Sequence, residues 1–178
     1  YLSLPTDGWS LRHYQAILLE PGWRNSVLDS VVVASSSTVL ALLLGTSCAI
    51  GCWRISSRLS EAIRFLMLAP IIVPSIVHAL GFYQAWVQFG LIDSYPGLII
   101  AHALKGVPYV VIAVSASLAN FDVRLEQAAR SLGATVGSAL WRVVLPSIRP
   151  GILSGAVFAF ITSWDELVVT MFITSRRV

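Results

Sequence analysis

Four long apolar segments, separated by short polar ones, dominate the chain. They contain charged side chains at only three positions, Lys105, Asp165 and Glu166. A helix needs about 20 apolar residues to cross roughly 30 Å of hydrocarbon, where every backbone polar group must be paired inside the protein. The pattern therefore predicts an all-α, polytopic membrane protein with approximate spans at 30–53, 65–88, 96–119 and 150–174.

Composition strengthens this assignment. Of the 178 residues 56% are hydrophobic and only 12% are charged, which is far too little charge for a soluble domain of this length. The chain begins without Met and stops directly after an apolar run, so it resembles a fragment of a longer protein. No signal peptide is recognisable in it.

Arginine placement predicts the orientation. The loop after the first span holds Arg54, Arg58 and Arg64, and the polar segment 120–149 holds four more arginines. Loops rich in arginine remain in the cytoplasm, so both should be cytoplasmic. The arginines of these cytoplasmic loops then account for the net charge of +3, and no nucleic-acid partner is needed to explain it.

Residues 1–24 are expected on the outer side. They carry aromatic side chains of the kind that favour the membrane interface, and these would form an interfacial belt. The aromatic residues in question are Trp9, Tyr14 and Trp23.

The polar segment 120–149 has the pattern of two short helices around a hinge. Asp122 can cap the first helix, and Gly133 can end it in the left-handed conformation. Thr135 can cap the second helix, and Pro146 is expected to close it.

Five residues in this segment lie at a fixed spacing: Ala128, Ala129, Gly133, Leu145 and Pro146. The spacing resembles a loop shared by the permease subunits of bacterial ABC importers, Glu-Ala-Ala, three residues, Gly, nine residues, Ile-x-Leu-Pro. An ordinary amphipathic loop is the alternative.

Two positions depart from that pattern. Gln127 stands where the family usually has Glu, and Val143 stands for Ile. Glu126, one residue earlier, supplies an acid that could replace the missing one.

The resemblance implies that transport and ATP hydrolysis belong to different subunits. Lys105 is the only lysine and follows Leu104, so no phosphate-binding Gly-Lys loop exists in this chain. The chain would be a transport subunit with no catalytic residue and no cofactor, and ATP and Mg²⁺ would bind to a partner ATPase dimer. Residues expected to contact that ATPase are Glu126, Gln127, Ala128, Ala129, Arg130, Gly133, Leu145 and Pro146.

The resemblance also implies the surroundings of the chain. Such permeases have about six spans, lie in the bacterial inner membrane and pair with a second permease subunit, identical or different. A periplasmic or lipid-anchored substrate-binding protein would deliver the cargo. The four spans here would be the middle ones.

A helical wheel of the last span places its two acids on one face. With 100° per residue from Gly151, Gly155, Thr162, Asp165 and Glu166 fall on the same side. Charges at membrane depth are costly and should face the bundle interior, which makes both acids candidates for the substrate path or a gate. Alternatively they lie near the outer interface and pair with Arg176 or Arg177.

The third span carries three further candidates on one face, His102, Lys105 and Tyr109. His102 and Tyr109 fit a His, five residues, Pro-Tyr pattern seen in related permeases. Lys105 would pair with Asp165 or Glu166, neutralise an anionic substrate, or extend toward an interface.

The stretch 163–169 resembles permeases of the spermidine/putrescine branch. This implies a polyamine or a similar small cation as substrate. The alternatives are ABC import of another small solute, such as an organic anion, a phosphonate or a metal, and transport by a carrier or channel without an ATPase.

The prolines of the second span and the cysteines of the first are interpreted as structural features, and an enzyme is the remaining alternative. Pro70 and Pro74 predict a kink in the second span, and His78 on that span could bond a neighbouring helix or meet substrate. Cys48 and Cys52, one turn apart, lack His or acidic neighbours and are interpreted as small apolar residues, not a metal site. An intramembrane enzyme built on Ser75 with His78, or Ser163 with Asp165, lacks any recognisable motif.

Overall fold

The computed structural model describes residues 11, 14–15 and 20–174, and all regular structure in that part of the chain is helical. The predicted all-α fold is confirmed. Short turns of 3₁₀-helix (Ala69–Ile71) and π-helix (Leu140–Val144) supplement the α-helices. In chain order the α-helices are α1 (Pro21–Ile55), α2 (Arg58–Leu68), α3 (Ser75–Phe89), α4 (Tyr95–Ala119), α5 (Val123–Ser131), α6 (Val136–Ala139), α7 (Leu145–Ser147), α8 (Arg149–Trp164) and α9 (Leu167–Ile173).

Two helices, α1 and α4, are each long and apolar enough to cross a membrane alone. Two bent helix pairs would raise the number to four if each pair is one span. The protein is thus a polytopic helical membrane protein. The span limits and the cytoplasmic side of the loops remain predictions, as does the interfacial belt, of which Trp9 lies outside the described residues.

The core is formed where α1, α4 and α8 pack together through small residues. Ala41 and Ala49 are buried, and a Cβ added to Gly45 would lie 2.7 Å from the Cβ of Val110. A Cβ on Gly106 would lie 3.3 Å from that of Ala41 and 3.2 Å from that of Ala159. Between membrane helices close packing supplies the stabilisation that the hydrophobic effect gives in water, and the small residues of α1 permit that packing.

The second apolar segment is not the kinked span predicted from Pro70 and Pro74. It consists of α2 with its 3₁₀ turn and α3, and the two parts meet at 104°, as in a broken span or a re-entrant loop. Neither proline has an N–H to donate, and Pro74 is the extended residue directly before α3. Two such residues within five positions break the helix completely.

The last apolar segment is also not one helix, so the helical wheel drawn for it was wrong beyond Trp164. Helix α8 ends there, and α9 starts at Leu167. The Glu166 carboxylate accepts a hydrogen bond from the N–H of Val169 at 3.1 Å and so caps α9. A side chain that caps a helix turns toward the N–H groups of that helix's first turn. The Glu166 side chain therefore no longer shares a helix face with Asp165.

The packing at Gly45 gives a test with a control in the same helix. Gly45→Ala forces a Cβ against Val110, whereas a Cβ on Gly51 meets nothing within 4 Å. We expect Gly45→Ala to cost about 1–3 kcal/mol through overpacking. Gly51→Ala should be neutral or slightly stabilising, because alanine favours the helix. Thermal unfolding in detergent, followed by size-exclusion chromatography, measures both; equal melting temperatures would contradict the packing described.

Candidate functional site

The polar segment 120–149 forms the two helices predicted for it. Asp122 caps α5 by accepting a hydrogen bond from the N–H of Arg124 at 2.9 Å. Gly133 has a φ of +93°, in the left-handed region that favours glycine. Thr135 caps α6 by accepting from the N–H of Ser138 at 3.2 Å. The caps and the hinge are therefore confirmed.

Pro146, in contrast, does not close the second helix. The N–H of Leu145 bonds to the carbonyl of Leu140, five residues back, and the helix continues through α7 to Ser147. The wide π turn lies directly before the proline, where its missing N–H and bulky ring would disrupt an ordinary α-turn. The chain bends only at Ile148, by 67°, before α8 begins.

The outer surface of this segment is unusually apolar for a loop. Leu132 is 89% exposed and Trp141 72% exposed, and Val136 is exposed between them in the sequence. Leu132 lies directly before the Gly133 hinge. The segment thus presents large apolar side chains away from the helix bundle.

The predicted coupling residues divide between two sides of this loop. Leu145 and Pro146 are half-buried near the bundle, as is Ala129. Glu126 is buried, with only 4% of its surface exposed. The residues on the outer side are Gln127, Ala128, Arg130 and Gly133.

Glu126 faces the bundle because it has a partner there. Its Oε1 lies 2.9 Å from a guanidinium nitrogen of Arg54, near the end of α1. The guanidinium also lies 5.3 Å from the ring centre of Trp53, and that ring packs edge-on against Phe121. Sequence reasoning missed Arg54 as a partner, since nothing local relates two residues 72 positions apart.

A second polar cluster lies where the last apolar segment breaks. Lys105 forms an ion pair with Glu166 and also donates to the hydroxyl of Ser75 at 2.8 Å. Of the three predictions for Lys105, pairing with an acid is the one observed. Both side chains are largely buried, at 11% and 8% exposed, and each removes the cost of burying the other's charge.

His102 extends this cluster from α4 to both parts of the broken segment. Its Nδ1 lies 2.8 Å from the hydroxyl of Ser163, and its Nε2 lies 3.1 Å from that of Thr170. The Thr170 hydroxyl donates to the carbonyl of Glu166 at 2.6 Å, so its oxygen accepts from Nε2–H. This arrangement fits a neutral imidazole that accepts at Nδ1 from Ser163.

The remaining candidates of the sequence analysis lie elsewhere. Asp165 is exposed at the helix break, and Tyr109 stacks on Phe158 with ring centres 6.4 Å apart. Pairing of the acids with Arg176 or Arg177 lies outside the described residues. His78 stacks on Phe82 at 5.9 Å, and the sulfur atoms of Cys48 and Cys52 are 3.9 Å apart.

Glu166 and His102 also line a cavity of about 250 Å³ between the first half of α1, the turn before α4, and α9. Asp29 and Asp93 contribute two further carboxylates, and Asp29 accepts a hydrogen bond from the Tyr95 hydroxyl at 2.6 Å. Serine and threonine hydroxyls supply most other polar groups. Among the described lining residues there is no lysine or arginine.

These observations define a class of protein before any comparison. A bundle of membrane-spanning helices with a polar cavity, a buried ion pair and a structured apolar loop is typical of a transport subunit. Residues 41–177 match the family described as the binding-protein-dependent transport system inner membrane component. The match covers more than half of the chain, so the chain belongs to this family of inner-membrane permeases.

Curated relatives differ in the solute they carry. The chain is 31% identical to the molybdenum transport system permease protein ModB of Mycobacterium tuberculosis, over 99% of this chain and 73% of that protein. It is 30% identical to the putrescine transport system permease protein PotI of Escherichia coli, over 94% of this chain and 62% of that protein. The spermidine/putrescine permease PotC of Haemophilus influenzae is 28% identical over 96% of this chain and 66% of that protein.

The buried ion pair gives a stability test. Lys105→Met should leave the Glu166 carboxylate buried without its partner and lower stability by about 3–5 kcal/mol. The double variant Lys105→Met, Glu166→Gln removes both charges and should recover most of that loss. Asp165→Asn, next to the pair but exposed, is the matched control and should change little. Thermal unfolding in detergent measures all three, and an unstable double variant would show that the two charges do not act as a pair.

Proposed function

We propose that this permease forms the substrate path of an ATP-driven importer and is driven by a separate ATPase that docks on the loop 126–146. One observation carries the proposal: the loop is a capped helix pair, bound to the bundle on its inner side and apolar on its outer side. A loop that merely joined two spans would need neither feature. An ATPase dimer would bind ATP and Mg²⁺, because the only lysine of this sequence, Lys105, follows Leu104 and so does not belong to a Gly-Lys phosphate-binding loop.

The outer side of the loop has the chemistry of a protein contact. Exposed leucine and tryptophan in an aqueous loop are unfavourable unless a partner covers them, and aromatic side chains are enriched in protein interfaces. Leu132 and Trp141 would insert into a cleft of the ATPase, while Gln127 and Arg130 would make polar contacts at its edge. Ala128 is small enough to permit close approach.

The importer would need further components. The family description names a binding-protein-dependent system, so a substrate-binding protein on the outer side would deliver cargo to the cavity. A second permease subunit, identical or different, would complete the path. Residues proposed to line or gate that path are Asp165, Glu166, His102, Lys105 and Tyr109, of which Glu166 and His102 border the cavity.

Docking on the loop is tested by removing its most exposed apolar side chain. Leu132→Ser should reduce co-purification of the ATPase subunit at least about fivefold, since the burial of a leucine side chain in the interface would be lost. Leu59→Ser, equally apolar and 70% exposed but in helix α2, is the matched control. Retention of the ATPase by the Leu132 variant would contradict docking at this surface. Solute uptake without any ATPase would favour a carrier or channel instead.

For the substrate we propose a polyamine or a similar small cation. Asp29 lines the cavity, where its carboxylate accepts a hydrogen bond from the Tyr95 hydroxyl, and Glu166 lines the cavity with Lys105 as its ion-pair partner. Carboxylate oxygens at these positions would replace part of the water around a cationic amine. The relatives named for putrescine transport agree with a cation.

An oxyanion is the second candidate, because the relative named for molybdenum transport aligns over 99% of this chain. The choice depends on the charge at Asp29. Asp29→Asn keeps an oxygen to accept from Tyr95 but removes the negative charge. We expect it to lower putrescine uptake by the complete transporter in proteoliposomes about tenfold, while Glu61→Gln outside the cavity has no effect. Uptake of molybdate but not of putrescine would overturn the cation proposal.

A further inference from the structure

The ion pair between Arg54 and Glu126 joins the coupling loop to a helix that is distant in sequence. Arg54 lies near the end of α1, and Glu126 lies in the first turns of α5. The Glu126 side chain is only 6% exposed and that of Arg54 28% exposed, so water screens the pair weakly. Such a pair is more rigid than an ion pair on the open surface.

The helices against which α5 mainly packs belong to its own loop. Its principal neighbours are α6 and the π-helical segment Leu140–Val144. Among the described residues, the Arg54–Glu126 pair is the ion pair that reaches from α5 to the bundle. The edge-on contact of Trp53 with Phe121 reinforces the same junction.

Helix α1 extends from this junction to the cavity. Asp29 and Val33 line the cavity with Glu166, whereas Arg54 holds the loop. Asp29 and Arg54 are 25 positions apart in one uninterrupted helix, which corresponds to about 38 Å at 1.5 Å per residue. One helix therefore contacts both the coupling loop and the cavity wall.

We propose that the Arg54–Glu126 pair fastens α5 to α1, so that a displacement of the loop by the ATPase moves α1 and with it the cavity wall at Asp29. The inference rests on the proposed docking of an ATPase, but concerns the step after docking. Arg54 and Glu126 are then positioning residues that transmit motion, while the outer residues of the loop bind the ATPase. Without the pair, the ATPase still docks and hydrolyses ATP, but less of that motion reaches the cavity.

Neutral substitutions in the complete transporter separate transmission from docking. In proteoliposomes, Arg54→Gln and Glu126→Gln should each lower the amount of solute imported per ATP hydrolysed at least threefold, while the ATPase still co-purifies. The double variant should be no worse than either single variant, because both remove the same interaction. Arg54→Lys, which retains the charge, should recover at least half of the coupling.

Arg58→Gln and Glu61→Gln are the matched controls. Each removes one charge, positive or negative, from an exposed position in the neighbouring helix α2 and should leave coupling unchanged. Full coupling in the Arg54 and Glu126 variants, or effects that multiply in the double variant, would overturn the proposal. Loss of the ATPase from these variants would also overturn it, by making the pair part of docking. Absence of the ATPase from the unmodified transporter would instead refute the proposed function.

A distance measurement tests the fastening directly, independent of transport. Spin labels on Ile55→Cys and Ser131→Cys, both at exposed positions, report the separation of α1 from α5 after Cys48 and Cys52 are replaced by alanine. Labelled chains are diluted with unlabelled ones so that only distances within a chain are measured. We expect a narrow distribution that is the same with and without nucleotide, and at least a twofold broader one after Glu126→Gln. A narrow distribution in the Glu126 variant would show that other contacts hold the loop.

Discussion

Placing an ionised side chain in hydrocarbon is unfavourable because no water solvates the charge, and it costs about 2.5–3.5 kcal/mol at the centre of a membrane helix. The structure around the last apolar segment follows from this constraint. Glu166 and Lys105 remove the penalty by pairing, and Ser75 accepts a further hydrogen bond from the ammonium group. The pair joins α3, α4 and the start of α9 at one point. Its partners must stay together, since either charge alone would be left buried.

The same constraint explains why the break between α8 and α9 is stable. Unpaired backbone groups are also unfavourable in lipid, so a helix end inside the bundle is stabilised where side chains satisfy its backbone groups. Glu166 caps α9, while His102 bonds Ser163 before the break and Thr170 after it. Glu166 thus serves both the helix end and the charge balance. Glu166 and His102 also line the cavity beside the break.

The ion pair of Arg54 with Glu126, at the other end of the molecule, lies in a different environment. Arg54 and Glu126 lie in the predicted cytoplasmic region, but the Glu126 side chain is only 6% exposed, which limits the screening of the pair by water. Trp53 and Phe121 flank the pair, and Gly45 lets α1 pack closely on α4 farther along. Helix α1 is therefore held at its end and along its length, as a rigid connection between loop and cavity would require.

Features that depend on near neighbours along the chain are predictable from the sequence. Apolar runs predict the helices α1 and α4, and the caps at Asp122 and Thr135 and the hinge at Gly133 are predictable because capping and left-handed backbone depend on a few adjacent residues. The ion pair of Glu126 with Arg54, and the departure of Glu166 from the face it would share with Asp165 on an ideal helix, arise only in the folded protein. Both outcomes depend on charged side chains 72 and 61 positions away in the sequence. A helical wheel describes a single helix and cannot include such a distant partner.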